Sequence, residues 1–209
     1  MDSAGTLLHL LTWLSPAFPT GGYAYSHGLE WAVEAGDIRD EASALGWISG
    51  VLVQGAGRTD AVLLRHAHRG IDVVALATAT SPSSERRMET LGQGGAFAIA
   101  AQVWDGPDPV PVPYPVAVAS LARAQGVPED AATLGLLHAM AATLVSAAVR
   151  LVPLGQTAGL RIMRALEPAL LTLMAGTRGV GLDDLGGACF RSDIASMRHE
   201  TQHTRLFRS

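Results

Sequence analysis

The sequence predicts an all-α protein, and three observations carry that reading. Apolar residues recur at helical spacing through most of the chain, alanine supplies 34 of the 209 residues, and no segment shows the sustained alternation of β-branched residues that a strand requires. Apolar positions make up 48% and charged positions 16%, enough apolar surface for a core and too little charge for a disordered chain.

Leu7, Leu8, Leu10, Leu11 and Leu14 line one side of a short first helix, which Ser15-Pro16 stops because a residue before proline avoids the helical region. Helical spacing resumes over Leu29 to Glu34, and Gly36 stands where a left-handed residue would end it. Asp40 and Glu41 put acids at the start of the next helix, which carries Leu45, Ile48, Leu52 and Val53 on one face. Ser81-Pro82 pairs a capping residue with a proline at the first helical position. A helix is expected from there past Met88 and Leu91 towards Trp104, with Gly94-Gly95-Ala96 permitting close approach of a neighbour.

Gly106 to Pro115 holds five prolines in ten residues and reads as an extended connector in polyproline geometry. The alanine-rich helical character is the same on both sides of it, so it is a crossover within one domain. Ala131 to Val149 then runs 19 residues without formal charge, close to the roughly 20 that span a bilayer. Seven of those 19 are alanine and Pro128-Glu129-Asp130 is an ordinary soluble helix start. The expectation is therefore a central core helix, buried all round, with His138 a satisfied core histidine.

All 15 basic residues are arginine, and the chain has neither lysine nor asparagine. Without lysine it cannot be a P-loop NTPase or form a lysine Schiff base. A formal net charge of -4 argues against a nucleic-acid binder, which needs a basic stripe to displace counterions. Cys189 is alone, which excludes an intramolecular disulfide and a multi-cysteine zinc site and points to a buried thiol. Met1 to Gly5 carries an acid and no positive charge ahead of the apolar run, unlike a signal peptide, so a cytoplasmic location is expected.

His199-Glu200-Thr201-Gln202-His203 is a literal H-E-x-x-H, which on a helix would set two histidines on one face for zinc. The surroundings oppose that reading. Only six residues follow His203, and the extended pattern would need glycine at Leu206 and histidine at Ser209. His66 and His68 are two apart, so they do not share a helical face, and with Arg65 and Arg69 they read as a solvated helix end. Gly92-Gln93-Gly94 and Gly179-Val180-Gly181 both fail to complete a dinucleotide fingerprint, and no G-x-S-x-G elbow is present. The residues give no catalytic, cofactor or metal site.

Two segments of special composition remain. Ser15-Pro16-Ala17-Phe18-Pro19-Thr20-Gly21-Gly22-Tyr23-Ala24-Tyr25-Ser26-His27-Gly28 combines a rigid backbone with adjacent glycines and presents two tyrosines and a histidine close together. Ser192 to Ser209 ends by interleaving Arg205 and Arg208 with Leu206 and Phe207. Arginine and large aromatics are anchors for a partner. A plain turn between helices, and a tail docked on its own domain, are the alternatives.

Together with Val152-Pro153-Leu154-Gly155-Gln156-Thr157-Ala158-Gly159, these segments resemble the signatures of the UreF family of urease accessory proteins. The family's S-P-x-x-P-x-G-x-[YF]-x-[YH]-S-x-G-L-E matches Ser15 through Glu30. Its P-L-G-Q-T matches Pro153 through Thr157, and its S-M-R-H-E-x-Q-x-x-R-L-F-x-S matches Ser196 through Ser209. The family tail commonly has an aromatic residue where this chain has His203, which makes H-E-x-x-H an accident of one substitution.

The resemblance implies a compact single-domain bundle of about ten helices over residues 1–209, with 192–209 as a partner-binding tail. It implies a non-enzymatic chaperone for nickel insertion, without a cofactor, acting in the cytoplasm and as a homodimer in its complex. Such a chaperone bridges UreD (also called UreH) and the GTPase UreG to apo-urease, and involves neither nucleic acid nor membrane. The tail would become ordered against UreD and help create the UreG docking surface, with Tyr23 at or near it. The partner-binding residues on this reading are Tyr23, Tyr25, Ser26, His27, Arg198, His199, Glu200, Gln202, Arg205, Leu206, Phe207 and Arg208. The absent lysine suits a chain that leaves nucleotide chemistry to a partner. The competing readings are a GTPase-activating protein lending UreG an arginine, with nothing to choose among the 15, and a tail-zinc hydrolase.

Overall fold

In the computed structural model, residues 2–106 and 108–209 are described; Met1 of the opening segment and Pro107 of the proline-rich connector lie outside them. The described residues form α1 (Ser3–Trp13), α2 (Leu29–Glu34), α3 (Glu41–Gln54), α4 (Ala56–His68), α5 (Val74–Ala79), α6 (Ser84–Ala101), α7 (Tyr114–Ala124), α8 (Glu129–Leu151), α9 (Gln156–Gly176) and α10 (Phe190–His199). Three short 3-10 turns complete the regular structure and no strand occurs among the described residues, so the all-α class is right.

Local sequence explains most boundaries. Gly36 takes φ +79° just beyond α2, the left-handed stop expected of it. Asp40 caps α3 by accepting from the Ser43 amide at 2.8 Å, while Ser43 answers through its hydroxyl. α6 starts two residues later than Ser81-Pro82 suggests. Ser83 is the cap, accepting from the Arg86 amide at 3.1 Å, and its hydroxyl also meets that of Ser196 on α10. Tertiary contact thus selects among neighbouring serines. Gly94 on α6 does permit close approach, since a Cβ there would overlap the Val112 carbonyl; Gly95 faces open space.

α8 divides the interior. Leu137, Leu144 and Val145 pack with Leu29, Ile48, Leu52, Ile162, Leu166 and Leu170 from α2, α3 and α9. Leu136 and Ala132 pack on the other side with Leu63, Leu64, Phe97, Val118 and Leu121 from α4, α6 and α7. The helix is central, as its composition suggests, but it is not buried all round. His138, Ser146 and Arg150 are exposed along one strip, so His138 is not the satisfied core residue expected of it.

Two further expectations are corrected. On α1 the buried residues are Thr6 and Trp13, while Leu7, Leu8 and Leu11 are exposed. Trp13 joins Trp104 at 6.0 Å between ring centroids, with Phe18 against Trp104 and Phe97, and this aromatic burial orients the helix in preference to its leucines. The end of α4 is not a solvated arginine cluster either. Arg65 points inward, bonding Glu129 Oε1 at 2.5 Å, Asp130 Oδ1 at 2.8 Å, Thr177 Oγ1 at 3.1 Å and the Met174 carbonyl at 2.6 Å. His66 and His68 meet the carbonyls of Val180 and Val127 at 3.0 and 2.9 Å. The acids that open α8 draw this basic end of α4 inward. Cys189 is half-buried, packed beside Gly50 and Gly55, and desolvation raises its thiol.

Candidate functional site: a tail seated on buried carboxylates

The two segments singled out by composition lie against one another. The loop between α1 and α2 buries Phe18, makes a 3-10 turn at Gly22–Ala24 and leaves Tyr23 73% exposed. It then dives inward at Ser26 and His27, both buried. His27 and Gly28 follow in the left-handed region, at φ +56° and +73°. Glycine is required at 28 for two reasons: the positive φ, and the approach of α10, whose Ser196 nitrogen would lie 2.5 Å from an added Cβ.

α10 rests on α2 and ends at His199, which is fully buried. Its Nδ1 is 2.6 Å from Glu85 Oε2 and its Nε2 3.1 Å from Glu30 Oε2. Both ring nitrogens thus face a buried carboxylate. Beyond it, the chain has no helix or strand, and several of its polar groups bond residues beneath it. Glu30 accepts from the amides of Leu206 and Phe207 at 2.8 and 3.0 Å. Glu85 accepts from Arg205 at 2.7 Å, and Gln202 Nε2 donates to Glu34 at 2.5 Å. The Arg208 amide donates to the Ala24 carbonyl at 2.7 Å, and the Ser26 amide and hydroxyl both donate to the Ser209 carbonyl, the former at 2.7 Å. Phe207 is buried beneath Arg150.

Under this layer lies Glu89 on α6. It accepts from Ser209 Oγ at 2.6 Å, His27 Nε2 at 2.8 Å and Gln93 Nε2 at 2.9 Å, and pairs with Arg86. Burial alone would raise its pKa; Arg86 and then His27 outweigh that and hold the carboxyl well below the usual carboxylate range. Burial, reinforced by Arg86, holds His27 below its ordinary range, so the neutral ring donates from Nε2 and its buried Nδ1 has no partner. Asp60 on α4 is pushed up to about 7, chiefly by desolvation and further by Glu89, with Arg86 opposing. These groups, with Arg150, His138 and Tyr23, line a cavity of about 260 Å³.

The structure brings Ser26, His27, His199, Arg205, Leu206 and Phe207 together. Tyr25 is partly buried, and Glu200 accepts from the Ser84 amide at 2.8 Å. Tyr23, Arg198, Leu206 and Arg208 turn their side chains outward. His199 and His203 do not share a helical face: the helix stops at the first, both of whose nitrogens are engaged, and the second is exposed. Among the described residues no group of three or more His, Cys, Asp and Glu is arranged to hold a metal ion.

Sequence reasoning missed Glu85, Arg86, Glu89, Asp60 and Arg150. Ser83-Ser84-Glu85-Arg86-Arg87-Met88-Glu89 looks like a solvated helix start, and nothing local marks its acids as interior. Glu30 closes the first motif, but its spacing gave it no role.

These features define a helical protein whose buried charges serve to seat one segment of chain on another. The family model described as UreF matches residues 38–167. A protein of Cereibacter sphaeroides named "Urease accessory protein UreF" is 52% identical over 209 residues, covering 99% of this chain and all of that one. Proteins of the same name from Bradyrhizobium sp. and Rhodopseudomonas palustris are each 48% identical, covering 97% and 100% of this chain and 92% and 94% of their own lengths. The chain belongs to the UreF family of urease accessory proteins.

Proposed function

We propose that this chain is a nickel-insertion chaperone that bridges UreD (UreH) and the GTPase UreG to apo-urease, acting in the cytoplasm and as a homodimer within the complex. It supplies binding rather than catalysis, with nickel as cargo. The observation that carries this reading is the joined loop and tail. Arg208 is bonded through its amide to Ala24, beside Tyr23, so an exposed aromatic and an exposed arginine adjoin on a rigid support. Aromatic and arginine anchors are what protein interfaces use. To couple UreG's nucleotide state to nickel release, the surface must bind that GTPase's states with different affinity.

The test is deletion of Arg198 to Ser209 followed by reconstitution of urease activation from purified components. Co-purification with UreD and UreG should be lost while helical circular dichroism is retained. Normal assembly and activation by the truncated chain would overturn the reading.

A second reading is favoured by one observation: the guanidinium groups of Arg198 and Arg208 are exposed and bond no other described residue. Either could serve UreG as an arginine finger. Single-turnover GTP hydrolysis by UreG, with Arg198→Ala and Arg208→Ala chains beside the unaltered one, separates acceleration from binding alone.

A further inference from the structure

The loop at residues 15–28 and the tail at 200–209 come from opposite ends of the sequence. Two backbone ties join them directly, from Arg208 to Ala24 and between Ser26 and Ser209. A third tie comes from a separate element. Arg150 lies in the last turn of α8, where its Nε donates to the Ser146 carbonyl at 3.2 Å. Its Nη2 donates to the Tyr23 carbonyl at 2.9 Å, and its guanidinium carbon stands 4.3 Å from the centroid of the Phe207 ring. One planar group therefore touches the loop through its edge and the tail through its face.

We propose that Arg150 is a positioning residue for partner binding: anchored on α8, it fastens the Tyr23 turn to the Phe207 segment so that Tyr23 and Arg208 form one surface. The inference rests on the partner-binding reading and names a residue that reading does not require. Arg65 and Arg86, the inward-facing arginines, are held by carboxylates, whereas Arg150 has no carboxylate partner among the described residues. Beyond its own helix, its contacts are a carbonyl and an aromatic ring, both belonging to the segments it joins. Arginine suits the position because its fork can donate in plane while its face stacks; a lysine ammonium has no face to stack.

The full-length chain with Arg150→Ala, Arg150→Lys, Phe207→Leu, Tyr23→Ala or Arg150→Ala and Phe207→Leu together is assayed for affinity towards a UreD–UreG mixture. Amide hydrogen exchange at Ser26, Arg208 and mid-α8, and the thermal midpoint, are measured on the same samples. Arg150→Ala should speed exchange at Ser26 and Arg208, leave α8 and the midpoint nearly unchanged, and weaken binding about fivefold to tenfold. Arg150→Lys should fall between it and the unaltered chain. Phe207→Leu should weaken binding as Arg150→Ala does, and the double variant should lose little more than either alone. Tyr23→Ala should lose affinity with no change in exchange. Unchanged exchange in Arg150→Ala, or faster exchange with undiminished affinity, would overturn the proposal. If the unaltered chain itself failed to bind the mixture, the functional reading would fall instead.

Discussion

Two buried ionic clusters among the described residues are built with opposite polarity. Around Arg65 the cation is enclosed, its side chain 1% exposed, while its partners Glu129 and Asp130 keep 22% and 41% exposure. Around Glu30, Glu85 and Glu89 the acids are enclosed, and much of what satisfies them comes from α10 and the tail. The first cluster joins the ends of α4, α8 and α9, helices that already meet through apolar faces. The second holds residues 200–209, which have no helix or strand of their own. Buried charge reinforces packing in one place and substitutes for it in the other, which makes the second cluster the one whose loss changes shape locally.

The largest effect expected is Arg65→Met. It strips hydrogen bonds from the Thr177 hydroxyl and the Met174 carbonyl as well as from the two partly exposed acids, and should cost about 3 kcal/mol of global stability in urea unfolding, since each buried polar group left short of a partner costs about 1–3 kcal/mol. Loss confined to one segment would break the comparison. Glu30→Gln keeps the shape but removes the charge facing His199 and weakens acceptance of two tail amides. It should cost about 2 kcal/mol, seen as rapid proteolysis within residues 200–209 with helical circular dichroism intact.

Asp60 sharpens the contrast through pH. Its folded pKa of about 7 lies above its ordinary 3.8, so the folded chain holds the extra proton between those values and stability declines as pH rises across that window. Asp60→Asn should gain about 2 kcal/mol on the unaltered chain between about pH 5 and about pH 8, in paired denaturant titrations, and the gap should close only below about pH 4. Glu89 works the other way, because its pKa is depressed. Its contribution is complete above the ordinary 4.5 and is lost as pH falls further. The smallest effect is at the surface: Arg161 and Glu41 form an exposed pair at 2.6 Å, and Arg161→Ala should leave the thermal midpoint unmoved.

The helical class, the stop at Gly36, the helix start at Asp40-Glu41 and the central place of α8 were legible because each depends on residues a few positions apart. The face of α1 was not, because Trp13 meets Trp104, about ninety positions onward, in a cluster that Phe18 and Phe97 complete. Arg65 looked solvated because its carboxylates lie more than sixty residues onward. In the candidate site, the loop and tail stood out by composition and by likeness to known motifs. The acids beneath them did not. Glu30 meets Phe207 across 177 positions, and no periodicity reports a partner at that distance.

Native-state hydrogen exchange at the amides of Leu206 and Phe207 tests most directly whether buried carboxylates seat the tail. Both amides should be protected in the unaltered chain and exchange freely in Glu30→Gln, while amides in the middle of α8 stay slow in both. Free exchange of Leu206 and Phe207 in the unaltered chain, or protection that survives Glu30→Gln, would contradict the account.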